Sequence, residues 1–182
     1  KIGELCHSYI GLTYKPEHIC NDGVLVLRSS NIQNNALDFK DQVRVNCNIP
    51  EKLFVQEGDV LVCVRNGSKN LLGKSAYISK LKEPMTFGAF MAICRSDIGK
   101  WLHLCMQSNL FLRQVEQLTA TVSINQLTQK NLLNMTVPIF STEIQTQIIA
   151  QIETLENQIQ TAQAIMNKAT DRKKAVLERY LN

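Results

Sequence analysis

The chain has 182 residues and a mass of 20.6 kDa. Its residues are 45% hydrophobic and 20% charged, and its formal net charge at pH 7 is +4. These values fit an ordinary globular protein with one hydrophobic core and an extension, and they exclude collagen-like and wholly disordered chains. No apolar run approaches the roughly 20 residues that a membrane-spanning helix needs.

The six cysteines do not follow a pattern of disulfides or metal ligands. They are scattered, without a CxxC pair, and most lie in apolar surroundings, so we predict reduced, packed thiols in a cytoplasmic protein. Two His–Cys pairs, His18 with Cys20 and His103 with Cys105, each lack the second pair of ligands that a zinc site requires. We therefore expect neither a metal nor any other cofactor.

Residues 1–140 alternate short apolar segments with polar loops. Asp97 and Ser108 are each placed to cap a helix, the first carrying Trp101 and Leu102 and the second carrying Phe111. Strands and helices thus intermix, which predicts a small α+β domain over residues 1–140. The predicted strands are short, apolar and bounded by turn residues: Val24–Leu27, Val60–Val64, Ala76–Ile78 and Ala89–Cys94.

Residues 141–182 are predicted to form one long coiled-coil helix. Apolar positions recur at alternating steps of four and three residues, and Gly and Pro are absent. A helix of about 38 residues would extend about 57 Å, farther than a domain of about 140 residues can cover. We therefore expect this seam to pack against a helix of a partner or of a second copy. It consists of Ile148, Ile152, Leu155, Ile159, Ala162, Met166, Ala169, Lys173, Val176 and Tyr180.

The net positive charge belongs entirely to the first domain, because residues 142–182 hold five basic and five acidic residues. The segment Val60–Lys82 contains five cations and no acidic residue. Its central loop combines Arg65, Lys69 and Lys74 with amides, a hydroxyl and glycines. Arg and Asn can read base edges, and lysines and backbone amides can contact phosphates. A solvated basic loop would have the same composition, so this pattern alone does not decide between the two.

No catalytic motif accompanies the basic loop. Gly73-Lys74-Ser75 resembles the end of a phosphate-binding P-loop, but five residues rather than four separate Gly67 from Gly73, and a strand is predicted to follow. The chain also lacks a GxSxG elbow, an HExxH pair, a dinucleotide-binding turn and the Asp/Asn-Pro-Pro-Tyr/Phe signature of amino-group DNA methyltransferases. We predict that the chain does no chemistry alone.

Three segments carry a family resemblance. The first is Gly58–Lys69 (GDVLVCVRNGSK), which continues through Leu72–Ala76 (LGKSA). The second is Met85–Ala92 (MTFGAFMA), with Arg95-Ser96 after it. The third, Ser123–Leu127 (SINQL), leads through Val137-Pro138-Ile139 into the long helix. In this order, and over essentially the whole chain, they resemble the target recognition domains of type I restriction-modification specificity subunits.

The resemblance implies a non-catalytic DNA-reading subunit. In the family each recognition domain reads one half of a bipartite DNA site, and long helices space two such domains and dock methyltransferase subunits, which engage a restriction subunit. This chain carries one domain and one helix, so it is either a fragment or a half-length subunit that dimerises. Antiparallel pairing of two such helices would give a homodimer whose DNA site is palindromic in its halves. The implied location is the cytoplasm of a bacterium or archaeon.

The basic loop and the resemblance together nominate DNA-contacting residues in several loops. Recognition domains of this family read different DNA sequences, so a motif that they share is expected to serve the structure rather than base recognition. We therefore expect the Arg65 loop to contact phosphate rather than bases. Phe87 and Phe90 are expected to pack in the core. The candidates are Arg65, Asn66, Ser68, Lys69 and Lys74, then Arg28, Ser29, Ser30 and Asn31, and then Tyr14, Lys15, Ser123, Asn125 and Gln126.

Two other functions stay open from the sequence. The first is a coiled-coil assembly protein whose basic loop binds a protein or RNA. The second is a small-molecule enzyme, which the missing motifs disfavour. A mobility-shift assay on random duplex DNA at low salt separates the first of these from a DNA-reading subunit.

Overall fold

The computed structural model describes residues 1–120 and 125–181. The chain divides into two compact units, Lys1–Ile139 and Phe140–Asn182. The helices of the first unit are α1 (Gly99–Gln107), α2 (Asn109–Thr119) and α3 (Gln129–Asn134), and the second unit contains α4 (Thr142–Leu181). The strands are β1 (His7–Ile10), β2 (Ile19–Cys20), β3 (Val24–Leu27), β4 (Ile32–Gln33), β5 (Ala36–Leu37), β6 (Arg44–Val45), β7 (Val60–Cys63), β8 (Ser75–Tyr77), β9 (Met85–Phe87) and β10 (Met91–Arg95).

Two four-stranded sheets and one small hairpin organise the described residues of the first unit. The first sheet has the order β1-β10-β7-β8 and is antiparallel throughout, with Ile93 paired to both Tyr9 and Leu61. The second sheet has the order β2-β6-β3-β9, in which β3 and β9 run parallel. The hairpin of β4 and β5 turns at Asn34 and Asn35, whose positive φ angles of 51° and 59° suit a tight two-residue connection.

The first sheet is the middle layer of the unit. Alternate residues of β7 point to opposite faces, so Leu61 joins the core cluster shared with the second sheet. Val60 and Val62 join the other cluster, which contains Leu102 of α1 and Phe111 of α2. A strand covered on both faces has no polar face, which is why β7 is a continuous apolar run rather than an alternating one.

Several sequence predictions are confirmed in the elements of the first unit, whereas one predicted helix cap and one predicted strand start are wrong. The α+β class is confirmed, Val24–Leu27 is β3, and the Ser108 hydroxyl accepts from the Phe111 amide at 3.3 Å to cap α2. Asp97 does not cap α1, whose N-cap is Ile98 without a side-chain hydrogen bond. The predicted strand Ala89–Cys94 begins two residues late, because Gly88–Met91 forms a turn closed by a 2.8 Å hydrogen bond between its end residues.

The second unit is the long helix that the heptad spacing predicted. Helix α4 spans 40 residues, or about 60 Å at 1.5 Å per residue. Its apolar side chains from Leu155 to Tyr180 are exposed, and Ile165, which lies outside the predicted seam, is 65% exposed. Among the described residues, no helix is both long and apolar enough to cross a membrane.

Candidate nucleic-acid interface

Loops from both sheets meet at one end of the first unit. In the antiparallel first sheet, β1 and β7 end where β10 and β8 begin, so the segments after Ile10 and Cys63 lie beside the turn before Met91. The parallel pair β3–β9 of the second sheet ends there too, because the Gly88 amide donates to the Leu27 carbonyl at 2.9 Å. We call this region the loop end. It comprises residues 12–15, 28–31, 64–69, 88–90 and 125–126.

The Arg65 loop (residues 64–69) is held to residues 125–126 by backbone and side-chain hydrogen bonds. Arg65 forms an isolated antiparallel bridge with Gln126. The Asn125 side-chain amide donates to the Gly67 carbonyl at 2.8 Å, and the Asn125 carbonyl accepts from the Asn66 amide at 3.3 Å. The Asn66 side chain accepts from the Ser68 amide at 3.0 Å and donates to the Ser29 hydroxyl at 3.1 Å. Three of the predicted loops are thereby joined into one surface.

Phe90 is the main correction to the sequence reading of this end. Phe87 is fully buried as predicted, but Phe90 is 55% exposed because it lies in the turn before β10. The Phe90 carbonyl accepts from the amides of Val64 and Arg65, each at 3.0 Å. The Arg65 guanidinium lies over the Phe90 ring, 5.1 Å from its centroid. Of the signals in the sequence, only Gly88-Ala89, a pair suited to a turn, could have indicated this placement.

The Arg28–Asn31 segment divides into exposed and structural residues. Arg28 pairs with Asp41 at 2.7 Å, and Ser29 and Ser30 line the surface of the loop end. Asn31 is completely buried: its amide nitrogen donates to the carbonyls of Asp38 and Asp41, and its oxygen accepts from the Arg28 amide at 2.9 Å. The predicted DNA contact by Asn31 is therefore wrong, since its hydrogen-bonding groups hold the loop together.

A cleft of about 640 Å³ lies between three of these loops. Tyr14, which also packs against the core cluster, and Phe90 contribute aromatic rings, while Arg28 and Asp41 contribute charge. Lys15 is exposed outside the cleft lining, and its ammonium is 3.3 Å from Glu17. A concave surface with rings, hydroxyls and a guanidinium can accept both the flat face and the polar edge of a planar ligand.

Two predicted lysines lie apart from the cleft. The Lys69 ammonium donates to the Thr119 carbonyl at 3.3 Å, where a cation stabilises the C-terminus of α2. Lys74 is half-buried just before β8, and its carbonyl accepts from the Cys63 amide. The segment after Lys74 is a strand, which agrees with the rejection of a P-loop. Ser123 lies outside the described residues.

The opposite end of the first sheet is acidic. Glu4, Glu57, Asp59 and Asp97 border a second cleft there, of about 580 Å³. Asp59 is 1% exposed and accepts two hydrogen bonds from Arg95, each 2.8 Å long, and a third from the Gln56 amide. The hydrogen bond from Arg95 to Asp59 raises the pKa of the guanidinium above its ordinary value. Four carboxylates therefore gather at the end of the first sheet that lies opposite Arg65.

The three segments that carry the resemblance form one contact network. Asp59 of the first segment pairs with Arg95 beside the second, and Arg65 of the first contacts Phe90 of the second. Asn125 of the third closes the loop of the first. These contacts join the three segments into a framework that fixes the loop end.

Comparison with solved structures identifies the fold as that of type I specificity subunits. A chain from a study of complex assembly and conformational transition of the type I R-M system has a TM-score of 0.64 at 21% identity, covering 98% of this chain and 42% of that chain. The HsdS subunit of Thermoanaerobacter tengcongensis has a TM-score of 0.61 at 20% identity, with 90% and 38% covered. The S subunit of M. genitalium has a TM-score of 0.63 at 13% identity, with 97% and 43% covered.

Comparison with curated proteins points to the same subunits by sequence. The chain is 28% identical over 162 residues to the StySPI specificity subunit of Salmonella potsdam, and equally to the EcoKI specificity subunit of Escherichia coli strain K12. Each match covers 85% of this chain and 35% of the relative, so the chain spans about a third of their length. No model of a known protein family matches the chain. The resemblance predicted from the three segments is confirmed.

Proposed function

We propose that this chain is a non-catalytic, sequence-specific DNA-binding specificity subunit, or part of one, that reads one half of a bipartite site. The observation that carries the proposal is the convergence of predicted contact residues at the loop end. Arg65, Asn66, Ser29 and Gln126, separated by up to about a hundred positions in sequence, form one hydrogen-bonded surface. The similarity to specificity subunits supports it, and the assembly-protein alternative is not favoured.

The proposal assigns different tasks to the two units. The first unit would read DNA through its loop end, with Arg28, Ser29, Ser30, Tyr14 and the Arg65 loop nearest the duplex. DNA methyltransferase subunits, and through them a restriction subunit, would act on the DNA that the chain selects, in a bacterial or archaeal cytoplasm. The acidic end would face away from the phosphates, because like charges repel.

The second unit would be the spacer and interface. The heptad seam of helix α4 is exposed from Leu155 to Tyr180 and half-buried at Ile148 and Ile152, and a second copy running antiparallel can cover it. In a register centred on Ala164, every seam position of one copy packs against a seam position of the second copy. It matches large residues with small ones near the centre. The layers are Ile148–Tyr180, Ile152–Val176, Leu155–Lys173, Ile159–Ala169 and Ala162–Met166.

Flanking positions support the same register. On one side of the seam, Ile165 would meet its own copy at the two-fold axis, and on the other Ile149 would meet Leu177. Ile165 is 65% exposed in the single chain, which a buried position in a dimer explains. No pair of like charges faces across the seam in this arrangement. A homodimer of this form would place two recognition units in two-fold relation, so its half-sites would be inverted repeats.

The test of the function is a genome-wide map of methylated bases in cells with and without the gene for this chain. Loss of one bipartite motif on deletion, restored by the wild-type gene, is the expected result. Methylation that is identical in the two strains would contradict the proposal. The control is a gene that carries Arg113→Lys, a conservative change on the exposed face of α2, and this gene should restore the methylated motif as fully as the wild-type gene does.

A further inference from the structure

Arg65 differs from the other arginines whose side chains stabilise the first unit. Arg28, Arg44 and Arg95 each pair with a carboxylate, at 2.7, 2.6 and 2.8 Å. Within residues 1–120 and 125–181, no carboxylate lies within ion-pair distance of Arg65, and its guanidinium donates no hydrogen bond. Its one described side-chain partner is the ring of Phe90.

The backbone around Arg65 is held on both sides. Its amide donates to the Phe90 carbonyl at 3.0 Å, and the residue bridges to Gln126. The next residue, Asn66, closes the turn through Ser68 and Ser29. The ring and its arginine are therefore attached to each other through main chain as well as side chain. Such an attachment reduces the conformational entropy that a long side chain loses on binding.

A ring contact stabilises a guanidinium without using its N–H groups. Arg65 thus retains five donors in a planar fork, which matches two adjacent acceptors better than a single one. In duplex DNA such acceptor pairs are O6 and N7 of guanine in the major groove, and two oxygens of one phosphate. Phe90 lines the cleft and is exposed, so it does not fill the core, and its ring is free to hold the Arg65 guanidinium in place.

We propose that Phe90 is a positioning residue that holds Arg65 as a pre-oriented bidentate donor to a paired acceptor of DNA. This inference rests on the proposed DNA-binding function and adds a specific residue pair to it. Replacement of Phe90 by Leu should remove the ring attraction and weaken binding by about two- to fivefold. Phe90→Tyr keeps the ring face and should retain wild-type affinity.

The experiment uses the full chain and a pool of random-sequence duplex DNA, enriched for bound molecules and then titrated at several salt concentrations. If Arg65 reads guanine, Arg65→Ala loses the preference at one base position, by about 5- to 150-fold, and Arg65→Lys, which lacks the planar fork, loses part of it. If it holds a phosphate, Arg65→Ala weakens all sequences equally and lowers the salt slope by about 0.9. Either result supports the proposal if Phe90→Leu shows a smaller loss of the same kind, in base preference or in salt slope, and Phe90→Tyr binds as the wild type does.

The outcomes against the inference are distinct from failure of the proposed function. Wild-type affinity, base preference and salt slope in Phe90→Leu would overturn the positioning role, whether or not the Arg65 changes weaken binding, and would leave the DNA-binding proposal intact. Absence of DNA binding by the wild-type chain would overturn both. Arg113→Lys is the matched control for the arginine change and should bind as the wild type does. Thermal melting verifies folding, which Phe90→Leu should preserve because the ring is 55% exposed.

Discussion

The buried ion pair at the acidic end allows a quantitative test of the framework. Asp59→Asn keeps the shape of the side chain but removes its charge and one of its acceptor oxygens. The asparagine amide would then point N–H groups toward the donors of Arg95 or Gln56, with which Asp59 makes three hydrogen bonds of 2.8 Å. Arg95, whose side chain is 21% exposed, would lose its counter-charge in a mostly buried position.

The expected cost is about 3–5 kcal/mol of the free energy of unfolding, the range for removing one partner of a buried pair. A unit of about 140 residues has a stability of roughly 7–20 kcal/mol, so the variant should still fold. With a urea dependence of about 2 kcal/mol per molar, the unfolding midpoint should fall by about 1.5–2.5 M. The loss comes from the uncompensated charge as well as from the broken hydrogen bonds.

Urea unfolding followed by fluorescence measures this cost directly. Trp101, the one tryptophan of the chain, is 5% exposed in α1 and reports on the core. The matched control is Asp41→Asn, because the Asp41–Arg28 pair is as short but more exposed and should contribute less than about 1 kcal/mol. A double-mutant cycle with Arg95→Met should show strong coupling to Asp59. A cost below about 1 kcal/mol, or additive single changes, would refute the reasoning.

Two further predictions concern a buried histidine and the helix register. Burial lowers the pKa of His103 to about 4, while the unfolded chain titrates near 6.5, so stability falls as pH drops below 6.5. Between pH 7.5 and 4.5 the His103 contribution to this loss is about 2.5 kcal/mol, measured as the difference from His103→Gln in urea titrations. In the proposed dimer, Ile159→Glu should weaken association by about 10²–10⁴-fold by sedimentation, since two isoleucines lose burial. Leu155→Glu should weaken association at least about fivefold less than Ile159→Glu does, because Lys173 of the second copy faces the new carboxylate.

Each of these predictions has a clear opposing result. The same pH dependence in His103→Gln as in the wild type would mean that the imidazole does not titrate as its burial requires. Asn157→Glu, on the face of α4 away from the seam, controls for added charge and should leave association unchanged. If Leu155→Glu weakens the dimer as much as Ile159→Glu, the register centred on Ala164 is wrong.

The loop end shows how far local patterns predict a site. Residue types and turn signals, which are visible locally, predict Arg65, Asn66 and Ser29 as contacts, and all three lie at the loop end. Asn31 has the same residue type and the same kind of loop, yet it is buried by three hydrogen bonds to the backbone around it. The type of a side chain limits the groups that it can bind, but the fold decides which of those groups lies within reach.

The sequence alone determined the features that depend on spacing and composition. The heptad seam of α4, the neutrality of that helix, the apolar run of β3 and the cap at Ser108 can each be recognised from neighbouring residues or from composition, so a local pattern is sufficient to predict them. The value of +4 is equally a property of composition, and its assignment to residues 1–141 needs only counting.

Only the tertiary structure decided which charges are available to a ligand. Lys69 is engaged with the end of α2, Arg28 and Arg95 are paired with carboxylates, and Arg65 lies on an exposed ring that the sequence had assigned to the core. These outcomes follow from contacts between residues 13 to 50 positions apart in sequence, and such distant contacts leave no local signal. The fold alone places Arg65 at the loop end and gathers Glu4, Glu57, Asp59 and Asp97 at the opposite end of the first sheet.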